Sequence, residues 1–328
     1  MTEEKRLVVH FRGSAKPELL ASLRPLLNER VILTSGDDIS DPEHTEILIT
    51  GLPEKKSLDG CANLRALIIP WAGLPKATAE LMRGYPQIAI HNIHHNATPT
   101  AEHAVGLMLA AAKRIAFCDR HLRRGDWSPR YLRERGALLA GKTALVLGFG
   151  AIGRRVARAC CGLGLEVRAI RRSPGGNDHD GVVLHGPGDL EMLLPQANVL
   201  FVTLPLTAET EGLIGARQLR LLPDGAVLVN VARGAIVDEQ ALYNELATGR
   251  IAAGLDVWYR YPKTEPEREA LPPSSLPFAE LDNVVMTPHL GGSSHKTEQL
   301  RAEALAGLLN AAAEGRPMPN RVDLEEGY

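Results

Sequence analysis

The stretch that most constrains this chain is TALVLGFGAIGRRVARACC at residues 143–161, where an apolar run passes through Gly148, Gly150 and Gly153 into a segment of small residues. A strand that turns directly into a helix on GxGxxG has few alternatives. The first glycine permits the tight turn, the second lets backbone approach a pyrophosphate, and the third lets helix and strand pack closely, with the helix N-terminus facing the phosphates. The stretch therefore implies a βαβ unit of a parallel sheet, with Gly148, Gly150, Ala151, Ile152 and Gly153 forming a dinucleotide site. A glycine-rich turn that binds nothing is the plainer alternative, and the flanking elements argue against it.

Around this unit, from about residue 142 to 288, short β-branched runs alternate with helical patterns, as in a doubly wound parallel sheet. The strands predicted are Thr143–Leu147, Val167–Ile170, Val199–Thr203, Ala226–Asn230, Ala252–Asp256 and Val284–Thr287. Residues 1–97 repeat the theme more weakly, at Arg6–His10, Ile47–Thr50, Ala66–Ile69 and Ile88–His91. A chain of 328 residues exceeds what one core usually supports, so a second, smaller α/β domain is expected. A long helix is predicted after Thr98, with its hydroxyl as cap and Pro99 in the first position. It runs through AEHAVGLMLAAAKRI and is apolar nearly all round, which predicts burial between domains or between subunits. A final helix is predicted over Lys296–Glu314.

The balance of 37 basic against 39 acidic residues provides no bulk field for nucleic acid or anionic membrane. No stretch is apolar enough to span a bilayer, and the N-terminal MTEEKRLVVHFRG does not resemble a signal peptide. Cys61, Cys118, Cys160 and Cys161 lack CxxC spacing and read as reduced packing residues. The expected setting is the cytoplasm and the expected partner a small molecule. His91, His94 and His95 invite a metal reading, but no thiolate or carboxylate accompanies them within the segment, so no metal site is assigned.

After the second strand of the glycine unit stand Arg171, Arg172 and Ser173, where an NAD site places an acidic residue for the ribose hydroxyl. Two guanidiniums and a hydroxyl suit a 2′-phosphate, favouring NADP over NAD. Solvated loop arginines, or stacking of Arg171 on adenine, are the alternatives.

With TAEHAVGLMLA at 100–110, LGFGAIGRRVA at 147–157, LPLTAETEGLIG at 204–215, VNVARGAIVDEQAL at 229–242, GLDVW at 254–258 and TPHLGG at 287–292, the chain resembles the D-2-hydroxyacid dehydrogenase family. That family includes phosphoglycerate dehydrogenases, glyoxylate or hydroxypyruvate reductases, formate dehydrogenases and the CtBP corepressors. The resemblance implies two Rossmann-like domains, with a cofactor domain (98–292) inserted into a substrate domain (1–97 plus 293–328), a substrate cleft between them, and a homodimer. It adds Pro205, Thr210, Val231, Ala232 and Asp256 to the cofactor residues. It gives Arg233 the substrate carboxylate and carbonyl, His289 the proton, and Trp71, Ala72 and Gly73 the carboxylate through backbone amides, with the Trp71 indole narrowing the pocket. Asn96 matches a substrate-binding Asn of formate dehydrogenases, or is a plain helix-entry residue; His94 or His95 is expected to line the cleft beside it.

One departure stands out: five residues after Asp256, where the family has a Glu that hydrogen-bonds the catalytic His, this chain has Tyr261. A phenol provides no fixed negative charge near neutrality, so His289 is expected to be less readily protonated, unless Glu265, Glu267 or Glu269 substitutes. The resulting expectation is hydride exchange with a small 2-hydroxy or 2-keto acid, of glyoxylate or hydroxypyruvate type. The alternatives are hydride transfer from an unusual formate-like donor and a non-catalytic, nucleotide-sensing dimer.

Overall fold

The computed structural model describes residues 6–13, 17–132, 136–173 and 181–324. It divides the chain into two compact units, Met1–Asn96 with Ser294–Tyr328, and Ala97–Ser293. Each unit is an α/β structure on one parallel sheet.

The first unit holds β1 (Leu7–Arg12), β2 (Val31–Gly36), β3 (Ile47–Ile49), β4 (Ala66–Ile69) and β5 (Ala89–Asn92), in the order β2-β1-β3-β4-β5. This is the flavodoxin-like order, in which β3, β4 and β5 end side by side on one carboxyl edge. Helix Thr297–Ala313 packs into this unit's core, where Leu305, Leu308 and Leu309 meet Leu19, Leu23 and Val9. Lys296 and Glu314 flank it as caps.

The second unit holds β6 (Thr143–Leu147), β7 (Glu166–Ile170), β8 (Val182–His185), β9 (Val199–Val202), β10 (Val227–Asn230), β11 (Ala252–Leu255) and β12 (Val284–Met286). Their order is β12-β11-β10-β9-β6-β7-β8. The order in which successive strands are added reverses between β6 and β9, so the loops after these two parallel strands flank the switch point where such sheets bind ligands. The central strands are buried along their length save Thr143, which is half-buried, as parallel strands covered on both faces must be.

The helix predicted after Thr98 spans Ala97–Ala112, so Thr98 lies inside it and does not cap it. Its hydroxyl instead accepts a hydrogen bond from Arg155 Nε at 3.0 Å. The helix ends early because Arg114 adopts a left-handed φ of 56°, after which a separate helix, Ile115–Leu122, begins. The long helix lies against β10, β11 and β12. Gly254 of β11 makes this possible, since a Cβ there would stand 2.7 Å from that of Leu107. Five apolar residues just after this helix, Ile115, Leu122, Trp127, Tyr131 and Leu138, are more than half exposed. Among the described residues no helix is long and apolar enough to cross a membrane.

Candidate active site

The glycine loop is closed by contacts that only glycine allows. Gly148 has φ +92° and a Cβ on it would stand 2.9 Å from Thr203 O, while a Cβ on Gly153 would overlap Gly148 O. Thr203, just after β9, secures the turn by donating its hydroxyl to Gly148 O at 2.7 Å and Leu147 O at 2.9 Å. Gly150 differs: it is exposed, and a Cβ there would meet no protein atom within 4 Å. It precedes helix Ala151–Gly162, whose N-terminus no side chain caps. Backbone N–H groups at a bare helix start, beside a position with no side chain, fit a diphosphate. Ala151 and Ile152, half-buried, complete the turn.

At the end of β7, Arg171 is half-buried and its N–H donates to His185 O at 3.1 Å; Arg172 and Ser173 are exposed. In the loop after β9, Thr210 accepts from Thr207 N at 2.8 Å and donates to Pro205 O at 2.6 Å, so the two predicted residues of this loop hold one another.

Three further loops meet at Trp258, which is 5% exposed. Its indole Nε1 donates to Thr287 O at 2.9 Å, and its backbone N–H donates to the Tyr261 hydroxyl at 3.0 Å. A Cβ on Gly234 would overlap Trp258 O, so glycine there lets the loop after β10 reach the loop after β11. In the β10 loop, buried Asn230 accepts from Ala232 N and donates to Arg233 O, each at 3.0 Å. That small ring turns the chain out of the sheet past buried Val231 and Ala232 and leaves Arg233 exposed.

His289 stands in the loop after β12 with φ +57°, a conformation uncommon outside glycine. The loop is held from below by Asp256, which is 1% exposed. Its Oδ1 accepts from Thr287 Oγ1 at 2.7 Å and Leu290 N at 2.8 Å, and its Oδ2 from Gly291 N at 2.8 Å. His103, from the long helix, has Nε2 2.9 Å from Thr287 Oγ1 and 3.3 Å from Asp256 Oδ1. A buried carboxylate needs such donors, and here they come from both sides of His289. Sequence reading missed His103 and Asn230. His103 sits within TAEHAVGLMLA, where a histidine on an apolar helix already signals a polar partner.

Thus the second unit brings Arg233, Tyr261 and His289 together. The Tyr261 and His289 rings are 5.6 Å apart between centroids and tilted by 57°. Partial burial lowers the His289 pKa from its ordinary 6.5, the Arg233 charge lowers it further, and Asp256 opposes both. Burial likewise raises Tyr261 above the ordinary phenol value. Among the described residues no carboxylate hydrogen-bonds His289. Glu267 accepts instead from Lys263 N at 2.6 Å and Thr264 N at 3.2 Å, and Glu265 lies near Arg268.

The other predicted residues belong to the first unit. Trp71, Ala72 and Gly73 follow β4, and Asn92 Nδ2 donates to Ala72 O at 2.8 Å. Among the described residues no hydrogen bond engages the backbone N–H groups of this loop. Asn96 is half-buried where this unit ends. His91 is buried with Nδ1 2.8 Å from Pro319 O, His94 is exposed, and His95 is half-buried, its pKa lowered to about 4 first by desolvation and then by Arg301.

Residues 105–291 match the family of the D-isomer specific 2-hydroxyacid dehydrogenase, NAD binding domain. The chain is 39% identical over 232 residues to a D-3-phosphoglycerate dehydrogenase of Archaeoglobus fulgidus, covering 70% of this chain and 41% of that longer relative. It is 32% identical over 312 residues to glyoxylate/hydroxypyruvate reductase B of Pectobacterium atrosepticum, covering 92% of this chain and 94% of that one. Among solved structures, a D-isomer specific 2-hydroxyacid dehydrogenase from Xanthobacter autotrophicus Py2, in complex with NADPH and MES, superposes with a TM-score of 0.79 at 26% identity. It covers 99% of this chain and 100% of that one. With a parallel sheet whose strand order reverses at its glycine turn and an Arg, a Tyr and a His gathered at its carboxyl edge, the chain belongs to the D-isomer specific 2-hydroxyacid dehydrogenase family.

Proposed function

We propose that the protein is an NADP-preferring oxidoreductase that interconverts a small 2-keto acid, of the glyoxylate or hydroxypyruvate type, with its 2-hydroxy acid. The observation that carries this reading is the gathering of Arg233, Tyr261 and His289 on the sheet whose switch point bears the open glycine turn. The unit Ala97–Ser293 serves the dinucleotide, through Gly148, Gly150, Ala151, Ile152, Gly153, Pro205, Thr210, Val231, Ala232 and Asp256, and the remaining unit serves the substrate. Exposed Arg172 and Ser173 with Arg171 receive the 2′-phosphate.

When bound, the nicotinamide supplies or accepts the hydride. Arg233 holds the substrate carboxylate and polarises the carbonyl oxygen on which negative charge develops. The amides of Trp71, Ala72 and Gly73 and the side chain of Asn96 are the further groups this reading assigns to the substrate carboxylate. His289, as imidazolium, gives its proton to that oxygen in reduction and takes it back in oxidation. Tyr261 presents its ring to His289 while its oxygen is held by Trp258 N–H.

The lack of a carboxylate hydrogen bond to His289 among the described residues supports a second reading, oxidation of a formate-like anion, which releases hydride without any proton transfer. Nucleotide turnover with glyoxylate, hydroxypyruvate, pyruvate and formate tests both. Turnover of the keto acids supports the first reading, turnover of formate alone supports the second, and nucleotide binding with neither refutes both. We further propose a homodimer, supported by the exposed apolar residues Ile115, Leu122, Trp127, Tyr131 and Leu138, and a cytoplasmic setting, supported by the lack of CxxC spacing among the four cysteines.

A further inference from the structure

Gly51 and Trp71 form a pair whose packing goes beyond the carboxylate-binding role expected of the Trp71 loop. They follow β3 and β4, neighbouring strands in which Ile49 pairs with Ile68, so both lie at the carboxyl edge where an open sheet receives ligands. A Cβ on Gly51 would fall on Cζ2 and Cη2 of the Trp71 indole. The benzo edge of the indole thus occupies the volume that any side chain at 51 would need. Gly51 has no left-handed φ, so its backbone conformation is open to other residues; the indole is what excludes them. Its peptide is also fixed, because Thr78, 2% exposed, donates its hydroxyl to Gly51 O at 2.6 Å.

The indole is therefore seated on a rigid floor, yet 39% of Trp71 remains exposed. A tryptophan has only two side-chain torsions and presents a large rigid face. Beside it are loop amides with no hydrogen-bond acceptor among the described residues. We infer that Trp71, seated by Gly51, is the specificity-determining residue that limits the size of the substrate's side chain, admitting hydrogen, methyl or hydroxymethyl beside the keto acid and excluding branched or aromatic groups. This rests on the proposed reading, in which the Trp71–Gly73 amides hold the substrate carboxylate.

Two measurements test it. In the first, kcat/KM is compared for glyoxylate, 2-ketoisocaproate and phenylpyruvate in the wild type and in Trp71→Ala, Trp71→Phe and Gly51→Ala. Discrimination by pocket size is typically about 10–200-fold, so Trp71→Ala should raise the bulky-to-small ratio at least about tenfold. Trp71→Phe should fall between, and Gly51→Ala, which displaces an intact indole, should shift the ratio in the same direction. In the second, thermal melts of Gly51→Ala are taken with and without Trp71→Ala. Alanine at 51 should lower Tm by several degrees when the indole is present and by less than about one degree when it is absent, the non-additivity expected of residues in contact. An unchanged ratio in a folded Trp71→Ala that still reduces glyoxylate, or additive melts, overturns the inference alone. No turnover of any keto acid by the wild type overturns the inference together with the functional reading.

Discussion

Replacing Tyr261 by glutamate restores a carboxylate beside His289, and its effect can be sized from the geometry. The two rings stand 5.6 Å apart. At that separation a unit charge acts with roughly 3 kcal/mol at an effective dielectric of about 20 and roughly 0.7 kcal/mol at that of water. With about 1.4 kcal/mol per pH unit, the His289 pKa should rise by roughly 0.5 to 2 units. Tyr261 is 43% exposed, so solvent screening weights the lower half, and about one unit is the expected shift. The sign follows from the proton's role. In the wild type the His289 pKa lies below 6.5, so the proton-donating form, and with it kcat/KM for keto-acid reduction, is lost as pH rises through a value below 6.5. In Tyr261→Glu that descending limb should move up by about one unit, while Tyr261→Gln, similar in reach but neutral, should leave it nearly in place. The assay is kcat/KM for NADPH-dependent reduction between about pH 5 and 9, since this parameter reports the free enzyme. A limb that stays where it is in Tyr261→Glu, or moves equally in Tyr261→Gln, refutes the assignment of His289 as a proton donor made reluctant by the missing carboxylate.

Other outcomes follow from the same geometry. Gly150→Ala should keep the wild-type Tm yet lose nucleotide affinity measured by fluorescence titration, because its Cβ meets no protein atom and would point into the pyrophosphate space. Gly153→Ala should instead lower Tm by several degrees, because its Cβ overlaps Gly148 O. Asp256→Asn puts an amide N–H₂ group among the donors from Thr287, Leu290 and Gly291, which should cost about 1–3 kcal/mol and lower both Tm and kcat. Arg172→Ala removes one charge-assisted contact that the proposed reading assigns to the 2′-phosphate and should reduce the proposed NADPH-over-NADH preference about 10- to 100-fold, read from the two kcat/KM values.

Much of the second unit was legible because its signals are steric necessities. Gly148 and Gly153 are glycines since nothing else fits, and the buried strands β6, β9 and β10 read as mainly apolar runs. The two strands missed, VILTSG and VVLH, are edge strands, each at one end of its sheet. An edge strand is covered on fewer sides, so its pattern is diluted: β2 has one fully buried residue and Val183 of β8 is 57% exposed. The Thr98 cap failed because a hydroxyl has several uses near a helix start, and the side chain of Arg155 claimed this one. The gathering at Trp258 was not legible either. It depends on Gly234 and Asn230 shaping a loop against residues about 30 positions away, as in the Trp258 Nε1 bond to Thr287 O, and local pattern carries no such information. Tyr261 was the opposite case: its departure from the family's Glu was plain from its position, but its hold on Trp258 N–H and its tilt toward His289 needed coordinates.

The most direct test of the account is nucleotide oxidation by the intact chain, comparing NADPH with NADH against glyoxylate, hydroxypyruvate, pyruvate and bulkier 2-keto acids near pH 6. Turnover of the small acids with NADPH preferred is expected, abolished in Arg233→Ala and in His289→Ala. Nucleotide binding without turnover of any 2-keto acid would contradict it.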